Sequence, residues 1–242
     1  MRAAITVPCF NEANRLRPDG FAPLLAAAEV VFVDDGSTDD THRILEGVAA
    51  SAPERAFVLR QEANAGKAEA VRRGMSWSMD RGAAAVGYLD ADLSTPAEEM
   101  VRLLGVLDET GATAVLGSRV AILGAHIERS TARHLLGRVF ATGASAVLKL
   151  PIYDTQCGAK AFRATPALRA ALAEPFHSRW AFDVELLGRL IAAQGGPDGI
   201  REVPLVEWRD VGGSTLRFHG MLRAGLDLAR VAVELSRFRR RK

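Results

Sequence analysis

The amino-acid sequence predicts an α/β fold in which a mostly parallel central sheet is flanked by helices and followed by a C-terminal amphipathic helix. Three observations carry the prediction. Short apolar runs alternate with segments of helical periodicity, the pattern of strands covered on both faces by crossover helices. Three of these runs lead into pairs of polar or acidic residues, Asn11/Glu12, Asp34/Asp35 and Asp90/Asp92, which gathers charge at one end of the sheet. With 242 residues, 48% of them hydrophobic, the chain can bury the faces of such a sheet in one large domain or two small ones.

In chain order, residues 3–7 are a compact run closed by Pro8, expected to end the first strand because proline has no N–H to donate. Cys9-Phe10-Asn11-Glu12-Ala13 then opens a loop. Residues 29–33 are a second buried strand that runs into Asp34-Asp35-Gly36-Ser37-Thr38-Asp39. Gly36 permits a tight turn, and Ser37 or Thr38 is expected to cap the helix carrying Ile44, Leu45 and Val48. Asp39 suits the start of that helix, where the dipole favours acid. Residues 56–59 form a third strand, followed by Asn64-Ala65-Gly66-Lys67 and a helix with Ala70, Val71, Gly74 and Met75 on one face.

The fourth strand, residues 86–89, ends in Asp90-Ala91-Asp92 and the loop residues Ser94, Thr95 and Pro96. In an open α/β sheet the carboxyl ends of the strands face the binding crevice. Two hard oxygen ligands there suit Mg2+ or Mn2+ bridging to substrate phosphates, although Asp-x-Asp by itself is equally a pair of solvated loop acids. No G-x-G-x-x-G follows the first strand, and Asn64 to Lys67 lacks the leading glycine of a phosphate loop, so dinucleotide-binding and P-loop enzymes are both disfavoured. Arg129 and Arg133 are four residues apart, with Ser130 beside them, ahead of an apolar helical run. They read either as a phosphate-monoester receptor or as a solvated basic face.

Taken together, Pro8-Cys9-Phe10-Asn11-Glu12, Val33-Asp34-Asp35-Gly36-Ser37-Thr38-Asp39, Asn64-Ala65-Gly66-Lys67, Asp90-Ala91-Asp92 and Gly117-Ser118-Arg119 resemble the successive motifs of the family 2 glycosyltransferases, inverting enzymes of the GT-A fold. Asp154-Thr155-Gln156-Cys157-Gly158-Ala159-Lys160, the segment from Arg179-Trp180 to Leu187, Glu202-Val203-Pro204, Trp208 and Gly213-Ser214 resemble the dolichyl-phosphate glucosyltransferase branch. Dolichyl-phosphate mannose synthases share less of this second set.

The resemblance implies a nucleotide sugar, UDP-glucose or else GDP-mannose, whose base and ribose are held by the Pro8–Glu12 loop and by Asp34 and Asp35. Lys67 would neutralise the diphosphate. Asp90 and Asp92, with Ala91 between them, would carry Mg2+ or Mn2+; Leu93 and Ser94 fill the place where family members often have a further polar residue. Arg129 and Arg133 would bind a polyprenyl phosphate acceptor. Asp154 would be a base or would order arginines and sugar, while Gln156 and Lys160 would neighbour the donor sugar or acceptor phosphate. Asp183 and Glu185 either bind sugar hydroxyls or simply begin a helix. The acceptor decides what Asp154 must do. A hydroxyl has to lose a proton as it attacks, whereas a phosphate monoester is already largely dianionic at neutral pH.

The formal charge of +2 from 31 basic and 29 acidic residues argues against a general nucleic-acid partner. Cys9 and Cys157 are too few for a disulfide framework and read as reduced thiols. The sequence reads as a glycosyltransferase domain over residues 1–216 and an amphipathic basic helix over 217–242. That helix places Leu222, Leu226, Ala229 and Val233 on one stripe, joined by Met221, Leu228, Ala232 and Leu235, and ends in a basic cluster. With no signal-like or membrane-spanning stretch, the expectation is a cytoplasmic protein touching the inner face of a membrane through this helix.

Overall fold

The computed structural model describes residues 1–128, 131–211 and 218–240; the side chains of residues 128–136, 218–224 and 239–240 lie outside that description. A seven-stranded sheet forms the centre, in the order β3-β2-β1-β4-β7-β5-β8. The strands are β1 (Ala3–Cys9), β2 (Glu29–Asp34), β3 (Ala56–Arg60), β4 (Ala85–Leu89), β5 (Ala114–Ser118), β7 (Ala159–Arg163) and β8 (Ile200–Pro204). Only β7 runs against its neighbours, β4 and β5. A second small sheet pairs β6 (His126–Glu128) with β9 (Glu207–Arg209).

The period-2 alternation of the strands divides the core. On one face Ile5, Val7, Val30, Phe32 and Leu89 meet α1 (Ala22–Ala27), α2 (Thr41–Ser51) and α4 (Ala97–Thr110) through Leu24, Leu45, Met100 and Leu103. On the other, Ala4, Val86, Tyr88 and Phe162 meet α3 (Lys67–Asp80), α5 (Thr131–Leu148), α6 (Pro166–Leu172) and α7 (Phe182–Gln194). Each Leu or Phe buried in these layers contributes roughly 1.5–3 kcal/mol relative to exposure, so the two faces together fix the sheet's register.

The first strand runs two residues further than the proline suggested. Pro8 pairs with Val33 of β2, while the β1–β4 ladder has already ended at Thr6–Tyr88. The missing proline N–H therefore points where no ladder partner remains. Beyond that point β1 and β4 diverge, and a cleft opens between their ends.

The helix α8 (Phe218–Arg240) packs on α5 and α7. Its buried side is Val231 and Leu235, with Leu228 partly covered, whereas Leu226 and Val233 are 62% and 50% exposed. The stripe expected to be a single apolar face is thus split: Leu228 and Leu235 enter the core, and Leu226, Ala229 and Val233 face out. Among the described residues no helix is long and apolar enough to cross a membrane.

Candidate active site

The loops following β1, β2 and β4 lie on the same edge of the sheet, and the antiparallel β7 brings its preceding loop, residues 154–158, to that edge as well. The loops after β1, β2, β3 and β4 enclose a cleft of about 340 Å3 lined by Pro8, Cys9, Phe10, Glu12, Asp35, Asn64, Lys67, Asp90, Ala91 and Asp92. Seven of the residues singled out from the sequence, namely Pro8, Glu12, Asp35, Lys67, Asp90, Ala91 and Asp92, share this wall.

Adjacent acids at the end of β2 point opposite ways and do different things. Asp35 accepts hydrogen bonds from Gln61 Nε2, Ala65 N and Gly66 N at 2.8, 2.8 and 2.7 Å, so it ties the loop before α3 to the cleft while still lining it. Asp34 is fully buried beneath. Its Oδ1 accepts from Ser37 N at 2.9 Å, and His42 Nδ1 and Arg60 Nε lie 3.2 and 3.7 Å from Oδ2. The expectation that Asp34 reaches a ligand is corrected by this burial: it holds the turn. Asn11 is likewise engaged with the same turn, accepting from Thr38 N at 2.9 Å while its own N–H donates to Ser37 Oγ at 3.0 Å. Neither Ser37 nor Thr38 caps α2; Asp40 occupies the N-cap, and Asp39 Oδ1 accepts from Thr41 N at 3.0 Å. Glu12 grips Arg15 with both oxygens, at 2.5 and 2.7 Å.

At the tip of β4, Lys67 Nζ lies 2.5 Å from Asp90 Oδ1. The two form a close ion pair at the cleft wall. Desolvation at the cleft floor would lower the Lys67 pKa, but Asp90, then Asp183 and Asp92, raise it above the ordinary value. Asp92 Oδ1 accepts from Ser94 N at 3.0 Å, which orients the second carboxylate. Two carboxylates one residue apart at the strand tip, Asp90 already drawn to a positive charge, form a hard-donor set that fits Mg2+ or Mn2+. Among the described residues no cluster of three or more metal-binding side chains occurs, so the remaining ligands would be water and substrate oxygens. The chain passes so close behind Asp90 that a Cβ on Gly158 would lie 2.2 Å from its Oδ2.

Asp154 is not a free carboxylate. Arg119 Nε and Nη2 donate to its Oδ2 and Oδ1 at 2.6 and 2.8 Å, the Arg119 and Gln156 backbone N–H groups donate at 3.1 Å, and Glu202 accepts from its own N–H at 2.6 Å. Burial would raise its pKa, but the Arg119 charge and these hydrogen bonds outweigh it and hold the group at about 2. Arg119 in turn lies over the Trp208 ring, 5.4 Å from its centroid.

Lys160, expected to neighbour the donor sugar or acceptor phosphate, presents no exposed surface to the cleft. It is fully buried, donating to Asp183 Oδ1 at 2.7 Å and to the Cys157 carbonyl at 2.6 Å. Tyr88 OH donates to the same Asp183 oxygen, and Gln156 Nε2 lies 3.4 Å from the other. Asp183 and Glu185 both begin α7. Glu185 is a buried partner of Arg189, at 2.6 Å, and of His177, so it too is removed from any sugar. Both thiols are buried, and burial raises both; Cys157 reaches about 11. Arg129 and Ser130 lie outside the described residues. Arg133 falls within α5, with its side chain outside the description.

Sequence reasoning assigned no role to Arg119, although it stands in a quoted motif. The signal that marks it is spatial: it pairs with Asp154, 35 residues away.

Comparison with known proteins agrees with this geometry. The sequence profile of glycosyl transferase family 2 matches residues 4–168. A dolichyl-phosphate beta-glucosyltransferase of Trichomonas vaginalis is 33% identical over 245 residues, covering 94% of this chain and 69% of its own. The polyprenol monophosphomannose synthase of Mycolicibacterium smegmatis is 28% identical, covering 78% and 72%. Among solved structures, a mannosyltransferase from Pyrobaculum calidifontis in complex with GDP-Man and Mn2+ superposes with a TM-score of 0.65 at 18% identity, covering 98% of this chain and 64% of that one. The architecture is that of the GT-A fold.

Proposed function

Because the chain belongs to glycosyl transferase family 2, a family of nucleotide-sugar glycosyltransferases, we propose that it moves a hexose from a nucleotide diphosphate to a polyprenyl phosphate, with inversion at the sugar carbon. The donor we assign is UDP-glucose, with GDP-mannose as the alternative. Both assignments draw on what the similar proteins are named for.

The observation that carries the phosphate acceptor is the state of Asp154. A hydroxyl acceptor needs a positioned base with a pKa near the working pH. A carboxylate held at about 2 by Arg119 is a poor one. A phosphate dianion needs no base and instead needs placement beside the sugar carbon. In this reading Asp154 fixes Arg119, and Arg119 with Arg129 and Arg133 directs cationic groups toward the incoming phosphate.

Pro8, Glu12 and Asp35 would hold the base and ribose, since a carboxylate accepts an imide N–H or ribose hydroxyls. Lys67 would turn from Asp90 toward the diphosphate. Asp90 and Asp92 would hold Mg2+ or Mn2+, which supplies charge stabilisation to the leaving nucleotide. We further propose that residues 1–216 carry the chemistry and that the exposed side of α8, with its basic end, rests on the inner membrane face where a lipid acceptor resides. Transfer of labelled hexose into solvent-extractable lipid tests the reading.

A further inference from the structure

Beside the cleft, Arg179 and Trp180, just ahead of the Ala181 N-cap of α7, form a corner that the roles above do not use. The Arg179 side chain lies across Gly66, whose φ is +97°; a Cβ there would come 3.2 Å from Arg179 Nε. Its guanidinium reaches the Asn64 carbonyl at 3.4 Å. Among the described residues it has no carboxylate partner. Asn64 and Lys67, at either end of that loop, both line the cleft. An exposed arginine held against a loop that lines the cleft, with no acid paired to it among the described residues, is complementary to an anion.

The next residue is of opposite character. Trp180 is 36% exposed, and its ring stands edge-on against Phe140 of α5, with centroids 4.7 Å apart. Val139, beside Phe140, is 64% exposed. Two residues further on, the Phe182 ring lies 6.0 Å from Lys67 Nζ, which itself contacts Asp90. The corner thus lies two residues from a ring that neighbours the cationic Lys67 of the cleft.

We infer that Arg179 and Trp180 form the subsite for the phosphate-proximal isoprene units of the acceptor, with Arg179 facing the phosphate and Trp180, braced by Phe140, walling the hydrocarbon. The inference rests on the polyprenyl-phosphate reading. A charge followed at once by a rigid aromatic wall matches a molecule that is an anion at one end and a branched, unsaturated chain from the next carbon onward.

The test is steady-state kinetics of Trp180→Ala and Trp180→Phe with geranyl phosphate as acceptor and with the nucleotide sugar that the wild type turns over, alongside thermal unfolding of each variant. Removal of the indole should raise the KM for geranyl phosphate about tenfold, the loss expected for one buried aromatic contact. The donor KM and the unfolding temperature should stay at the wild-type values, and Trp180→Phe should recover most of the loss. An unchanged acceptor KM in Trp180→Ala, or acceptor and donor KM rising together, overturns the subsite while leaving the polyprenyl-phosphate reading intact. A wild type that transfers to no polyprenyl phosphate overturns that reading first and the subsite with it.

Discussion

Arg119 grips Asp154 from two sides, with Nε 2.6 Å from Oδ2 and Nη2 2.8 Å from Oδ1, and its own backbone N–H completes the contact. The pair spans 35 residues of sequence and joins the end of β5 to the loop before β7. Both partners are nearly buried, with side chains 15% and 8% exposed. A bidentate pair in such a place is a geometric device: it fixes where a cation stands rather than providing a proton acceptor.

Asp154→Asn should therefore slow transfer to a phosphate acceptor by about tenfold, through loosened placement of Arg119. Loss of a general base would remove about 100- to 10,000-fold. Comparing kcat for the wild type and the variant at neutral pH separates the two, and a loss beyond about 1,000-fold argues for proton abstraction.

The same pair predicts how stability depends on acid. The Asp154 carboxyl has an ordinary pKa of 3.8 and is held at about 2 in the folded protein, so in this window the unfolded chain binds the proton more tightly. The stabilisation is full above about pH 4 and is lost as pH falls through about 2, a contribution on the order of 2 kcal/mol. Denaturant titrations across that interval should show the slope in the wild type and a shallower one in Asp154→Asn.

Gly158 backs directly onto Asp90. A methyl group at that position would meet both carboxylate oxygens, at 2.2 and 2.9 Å, and must displace the side chain. Gly158→Ala should cut transfer at least about 100-fold, the scale of a misplacement near 1 Å. Initial rates of transfer, read beside the thermal midpoint, check this; unaltered rates would show that the Asp90 position is not critical.

Lys160→Met tests a structural role in place of ligand contact. It leaves Asp183 buried without its cation, which costs about 3–5 kcal/mol and lowers the melting temperature by about 2–4 °C for each kcal/mol in a chain of this size. Adding Asp183→Asn should recover most of the loss. If single and double variants melt alike, the Lys160–Asp183 pair does not act as a unit.

Much of the cleft's edge was legible because its signals are local. A buried strand ending in Asp-x-Asp, and another ending in adjacent acids, announce themselves within a few residues. The different fates of Asp34 and Asp35 were not legible, since either could face the cleft until the register of β2 against β1 and the approach of His42 and Arg60 decide it. The burial of Lys160 was not legible for a similar reason: its neutralising acid arrives only 23 residues later, on α7. Insertion of the antiparallel β7 between β4 and β5 breaks the strand–helix alternation without any local mark. On α8 the expected apolar face was wide, and the contacts with α5 and α7, rather than hydrophobicity, selected which part of it is buried.

The most direct measurement is transfer of radiolabel from UDP-glucose, and in parallel from GDP-mannose, into solvent-extractable lipid, using the full chain, a polyprenyl phosphate and Mg2+ or Mn2+. The account predicts label in the lipid from UDP-glucose, abolished by a chelator and by Asp92→Ala while the thermal midpoint of the variant stays at the wild-type value. Label from GDP-mannose alone would reassign the donor. Hydrolysis of donor without labelled lipid, or transfer only to a hydroxyl acceptor, would contradict the account.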